Sequence, residues 1–111
     1  MTFVELIREL KKVPFDELRK EDQGYFEFVV SQRYVTHLYP VLERYFGVPF
    51  KPPGVAPTAE HTRRALNYGG IRKQQTLYYA ARDGFDNCAM VWPWGDKSRV
   101  TVKIAQGTVG K

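Results

Sequence analysis

The sequence predicts an α+β fold in which N-terminal helices pack on one face of a C-terminal three-stranded antiparallel meander. Three observations carry this expectation. Apolar residues recur at helical spacing through the first 46 positions, four prolines and two glycines crowd residues 47–57, and beyond residue 70 apolar runs are broken by turn-forming segments. A chain of 111 residues, 43% hydrophobic and 14% aromatic, has the length of one domain and the material for one core. Residues 1–111 are therefore read as a single domain: a helical half (1–46), a proline-rich connector (47–57), and a helix plus antiparallel sheet (58–111).

The first helix is expected over residues 3–12. Thr2 and Glu5 stand at capping-box spacing, Phe3, Leu6, Ile7 and Leu10 form one face, and Pro14 ends the run. "FDELRKED" predicts a short second helix with Phe15 and Leu18 facing inward and Gly24 as its stop. In "YFEFVVSQRYVTHLYPVLERYFG", the stripe Phe28, Val35, Leu38, Leu42 and Tyr45 predicts a long helix that Pro40 kinks or restarts, although "YFEFVV" alone also fits a strand. The connector is extended and stiff, and its PxxP match at Pro49–Pro52 is too short to name a ligand. Thr58 caps a helix to about Asn67, ended by the glycines of "YGG".

"IRKQQTLYYAA", "NCAMVWPW" and "RVTVKIA" then read as strands, joined by "RDGFD" and "GDKS". An even-numbered second loop sets Trp94 opposite Arg99, Trp92 opposite Thr101, Val91 opposite Val102 and Met90 opposite Lys103. One sheet face then carries Ala89, Val91, Val100, Val102 and Ile104, and the other Cys88, Met90, Trp92, Trp94, Arg99, Thr101 and Lys103. For the first strand an odd loop is favoured, because it leaves Leu77 and Tyr79 for the core and adds Arg72, Gln74, Thr76 and Tyr78 to the tryptophan face; a two-residue Asp83–Gly84 turn reverses this.

Charge narrows the function classes. Residues 1–57 hold eight Lys/Arg and eight Asp/Glu; residues 58–111 hold nine Lys/Arg, Lys111 among them, and four acids, so the whole excess of +5 lies in the C-terminal half. Such asymmetry suits an anionic partner as well as a merely solvated face. The single cysteine, Cys88, excludes an internal disulfide, and no Cys/His cluster has zinc spacing. Glu5 and Glu9 interrupt the apolar N-terminus, unlike a signal peptide, and no apolar run approaches the roughly 18 residues of a membrane span. The chain is read as cytoplasmic, without metal, cofactor or membrane contact.

Enzymatic signals are weak. His37 and His61 are not placed together by spacing, Cys88 reads as a small buried hydrophobe, and "YGGI" lacks a phosphate loop's pattern. The reading is a non-catalytic binding module. Its favoured ligand is nucleic acid, with Trp92, Trp94 and Tyr78 stacking on bases and Arg72, Arg99 and Lys103 holding phosphates. Arg63 and Arg64, with Asn67, offer a second cationic surface on the helix before the sheet, in an element order that resembles a winged helix-turn-helix except for the long connector before that helix. The alternative is a protein–protein or homodimer interface built from the same Trp, Tyr and Arg surface, which would look identical in sequence.

Overall fold

The computed structural model describes residues 1–108; Lys111 lies outside the described residues. The chain forms helix α1 (Phe3–Leu10), strands β1 (Glu17–Asp22) and β2 (Tyr25–Ser31), helices α2 (Val35–Phe46) and α3 (Ala59–Ala65), and strands β3 (Thr76–Arg82), β4 (Phe85–Pro93) and β5 (Arg99–Thr108). The strands make one antiparallel sheet in the order β1-β2-β5-β4-β3. The class is α+β, as the sequence predicts, but the sheet has five strands rather than three.

Of the two extra strands, β1 comes from a segment expected to be helical and β2 from one left open between helix and strand. β2 carries Phe26, Phe28 and Val30 on one face, all buried, and pairs with β5 along its whole length. The "YFEFVV" alternation was thus a strand signal, masked because Phe28 also falls in step with the helical stripe, which is helix only from Val35 onward. β1 replaces the predicted helix at 15–22, although Glu, Leu, Arg and Lys favour helix. Its six residues are all exposed, so the backbone ladder to β2 carries this strand. Asp22 pairs with Tyr25 across a two-residue Gln23–Gly24 turn, with Gly24 at φ 80°. Its charges and a register shift between Leu18 and Lys20 suit an edge strand, because both discourage addition of another chain.

α1 begins with the predicted capping box: the Glu5 amide donates to Thr2 Oγ1 (3.1 Å) and the Thr2 amide donates to Glu5 Oε1 (2.8 Å). α2 runs through Pro40 without ending. The carbonyl that would have accepted from Pro40 belongs to Thr36, and both residues are exposed, so water can take that bond. Leu6 and Leu10 of α1 and Val35, Leu38 and Leu42 of α2 pack on Phe26, Phe28, Val30, Ala89, Val91, Val100, Val102 and Ile104. This is the main core, and it contains the predicted apolar face of β4 and β5.

The β3 register differs from the favoured expectation. Asp83 (φ 54°) and Gly84 (φ 81°) form a two-residue turn with both residues left-handed, which matches the twist of a hairpin. The even loop pairs Leu77 with Met90, Tyr78 with Ala89 and Tyr79 with Cys88. Leu77 and Tyr79 therefore share the tryptophan face, and Tyr78 joins the main core. β3 also begins at Thr76, which leaves Arg72 in the preceding turn.

The second sheet face is not left bare. α3 and residues 66–75 cross part of it, closing a smaller cluster of Ala65, Leu77, Cys88, Met90 and Ala105 flanked by Tyr25, Tyr68, Ile71 and Trp92. The connector covers the β3 edge: Lys51 and Leu77 exchange both backbone hydrogen bonds, each 3.0 Å. The Lys51 side chain is fully buried, and its ammonium donates to the carbonyls of Pro52 (3.0 Å), Lys73 (2.8 Å) and Gln75 (2.6 Å). Burial pushes this amine below the usual lysine pKa, and the three carbonyl dipoles oppose loss of its proton. Among the described residues no helix is long and apolar enough to cross a membrane.

Candidate functional site

The β4–β5 hairpin has the register read from its sequence: Met90 faces Lys103, Val91 faces Val102 and Trp92 faces Thr101, while the Trp94 amide donates to the Arg99 carbonyl (2.9 Å). Pro93 is tolerated because residues of its parity point their amides toward β3, whose ladder stops two residues earlier, at Thr76–Val91. The loop closes when Lys97 N–H donates to the Trp94 carbonyl (2.9 Å) and Asp96 Oδ1 accepts from the Ser98 amide (3.0 Å) and hydroxyl (2.7 Å). These bonds hold the Asp96 carboxyl below its usual pKa.

Trp94 is half-buried at this end of the sheet. Its Nε1 donates to Thr101 Oγ1 (2.9 Å), and the guanidinium carbons of Arg99 and Arg19 lie 5.6 and 5.8 Å from its ring centre. Arg99 is oriented by Asp16 (2.7 Å), and Arg19 is the residue skipped where the β1 register shifts, a position that re-aims a side chain. The same end gathers Arg33 after β2, Lys97 in the β4–β5 loop, and Arg72 and Lys73 before β3, against Asp16, Glu17 and Asp96. Arg33, Arg72, Lys73 and Lys97 make no ion pair among the described residues. The opposite end carries Glu21, Asp22, Asp83 and Asp86, there accompanied by Lys20 and Arg82 and by the ion pairs of Lys11 with Glu21 and of Arg64 with Asp86.

Trp92 is differently placed. Lys103 Nζ sits 3.6 Å from its ring centre and donates to the Tyr68 carbonyl (2.9 Å). Gly69 (φ 101°) passes so near that a Cβ there would stand 2.6 Å from Trp92 Cη2. Tyr68 stacks on Tyr25 (6.3 Å between ring centres, 18° between planes), and Tyr25 donates to Glu27 (2.6 Å). Burial pushes the Lys103 amine down, with Glu27 acting in the other direction. The Trp92 Nε1 is buried and has no hydrogen-bond partner.

The other predicted site residues separate from this group. Tyr78, expected beside the tryptophans, is fully buried in the main core, its hydroxyl 3.4 Å from Glu43, and cannot stack on a ligand there. The even Asp83–Gly84 turn is the reason. Arg63 and Arg64 both pair with Glu60 on α3, and Arg64 also bridges to Asp86 (3.3 Å) and lies 4.4 Å from the centre of the Tyr79 ring. Arg64 thereby fastens α3 to the sheet, Arg63 stays exposed on the helix with its only ion pair among the described residues to Glu60, and neither stacks on a tryptophan. Arg72 is exposed at the cationic end, where its amide donates to Gln75 Oε1 (2.8 Å). His61 spends Nδ1 accepting from the Thr58 amide (3.1 Å), and His37 is exposed on α2.

Sequence reasoning missed Arg19, Tyr25, Tyr68 and Lys51. Arg19 lies in a segment read as helix and Tyr25 in one left open between helix and strand, and the one local hairpin signal between them was the "DQG" turn. Tyr68 and Lys51 gain their roles from contacts distant in sequence, which no local pattern announces. A separate open groove of ≈ 510 Å³, lined by Phe3, Val4, Ile7, Arg8 and the Lys11–Glu21 ion pair, contains none of the predicted site residues. Set against family models, curated proteins and solved structures, the chain matches none of them.

Proposed function

We propose that the protein is a non-catalytic binding module and that the sheet end around Trp94 takes single-stranded nucleic acid. The observation that carries this reading is the half-buried Trp94 indole beside two guanidinium groups, at a sheet end that also carries Arg33, Arg72, Lys73 and Lys97, which make no ion pair among the described residues. Every base has a π-face that can stack on an indole, and the surrounding cations suit consecutive phosphates. A protein hot spot would need a contiguous apolar centre. The large exposed hydrophobics Met1, Val4, Leu18, Val48, Phe50, Val55, Leu66 and Phe85 belong instead to the residue before the α1 cap, α1, β1, the connector, the helical turn after α3 and the start of β4.

The test is fluorescence anisotropy of a labelled oligothymidylate of about ten nucleotides against the full chain at low and moderate salt. A site holding two to four phosphates gives a slope of log K against log salt of about −1.5 to −3. Trp94→Ala should weaken binding by about 1–3 kcal/mol, roughly 5- to 150-fold, the range for loss of one base stack. Asp16→Asn, which releases Arg99, should tighten it. Absence of binding at low salt, or binding indifferent to salt and to Trp94→Ala, overturns the reading and directs attention to a protein partner.

A further inference from the structure

We infer that Trp92 and Lys103 form a second nucleotide subsite beside Trp94, closed in the free protein by residues 66–75 and opened when a ligand phosphate takes Lys103 from the Tyr68 carbonyl. This rests on the nucleic-acid reading and adds a site and its regulation to it.

Lys103 is the keystone of the closed form. Its ammonium lies over the Trp92 ring at 3.6 Å and is held by one neutral acceptor, the Tyr68 carbonyl at 2.9 Å. An anionic phosphate oxygen is a stronger acceptor for an ammonium than a neutral amide oxygen, because the bond is charge-assisted on both sides. Transfer of Lys103 to a phosphate would remove the ammonium from the ring and cut a tie between Tyr68 and the sheet. The indole face so released would lie beside a phosphate, which is the arrangement a nucleotide needs.

The covering segment is suited to move. Gly69 (φ 101°) and Gly70 (φ 85°) are consecutive left-handed glycines, and Gly69 touches Trp92 only because it lacks a side chain. Trp92 Nε1, buried without a partner, marks a donor whose hydrogen-bonding capacity the closed form leaves unused. At the far end of the segment, Lys51 ties the Lys73 and Gln75 carbonyls to the connector, so movement would be confined to the part nearer Tyr68.

The experiment uses the full chain with two readouts. In a Trp94→Phe background Trp92 is the only tryptophan, and acrylamide quenching of its emission reports the cover without any ligand. Gly69→Ala, whose Cβ cannot coexist with Trp92 in place, should raise quenching. Tyr68→Ala, which removes the stack on Tyr25 without asking for left-handed strain, should do the same. With Trp94 restored, both variants should bind the oligothymidylate about threefold or more tightly, since a ligand need no longer select a minor open form. Lys103→Met should raise quenching and weaken binding. If the wild type binds but folded Gly69→Ala and Tyr68→Ala variants bind no more tightly, the covered subsite is refuted and the Trp94 reading survives. If quenching of Trp92 is already high in the unliganded Trp94→Phe protein, the closed form itself is refuted. If the wild type does not bind, the nucleic-acid reading falls and takes the subsite with it.

Discussion

Replacing Lys51 with methionine tests how the connector is held to the sheet. The side chain is fully buried, and all three ammonium hydrogens are spent on the carbonyls of Pro52, Lys73 and Gln75 at 2.6–3.0 Å. Hydrogen bonds to charged groups contribute about 1.5–3 kcal/mol each, so the three together supply roughly 4–9 kcal/mol. Against this stands the dehydration of one ammonium, several kcal/mol, which methionine does not incur. Methionine keeps the stem's volume and leaves three carbonyls to be hydrated. The expected net loss is about 1–4 kcal/mol. For a chain of this length the unfolding entropy is about 0.23 kcal/mol/K, so the melting temperature should fall by about 4 °C per kcal/mol, or roughly 4–17 °C. Calorimetry gives the midpoint, and hydrogen exchange at the Leu77 amide, which donates to the Lys51 carbonyl, reports whether the connector detaches from the edge. Lys51→Arg should also destabilise, because a planar fork cannot converge on three carbonyls around one point. An unchanged or raised melting temperature in Lys51→Met would refute the reasoning and mean that dehydration cancels the bonds.

Two further outcomes follow from other buried or capped groups. Burial pushes the Cys88 thiol up to about 12, with Asp86 adding to the shift, so in the folded protein it should resist an aromatic disulfide reagent at mildly alkaline pH. Its modification rate should follow the fraction unfolded as denaturant is added; rapid reaction in buffer alone would contradict its place under α3. The Glu5 carboxyl is held below its ordinary value of 4.5 by the Thr2 amide and hydroxyl. Because the folded-state pKa is depressed, this contribution to α1 is present above pH 4.5 and is lost as the pH falls through the lower folded value. The Thr2 amide resonance should titrate with a midpoint below 4.5 and become insensitive in Glu5→Gln; a midpoint at or above 4.5 would show that the capping box does not form in solution.

The elements legible in the sequence share one property: their signals are local and periodic. Thr2 with Glu5, and Thr58, mark helix starts through bonds spanning three residues. The alternation of Val100, Val102 and Ile104 sets the parity of β5 because a one-residue slip would turn all three toward solvent. With that parity comes the placement of Trp92, Trp94, Arg99 and Lys103 on one face. β1 could not be read this way. "ELRKED" has no apolar face to declare a period, and its strand state comes from the ladder offered by β2.

Tertiary contacts decided the remainder. Placing Tyr78 required the parity of a single turn, and Asp83–Gly84 chose the even loop that sends its ring into the main core instead of toward a ligand. The fate of Trp92 depended on where Gly69 and the Tyr68 carbonyl lie, and the fate of Lys51 on carbonyls 22 and 24 residues away. Hydrophobic period and capping act within a few residues and leave their mark on the chain. The cover over a sheet face, or the partners of a buried ammonium, arise only after segments far apart in sequence are brought together, and one-dimensional periodicity contains no term for that.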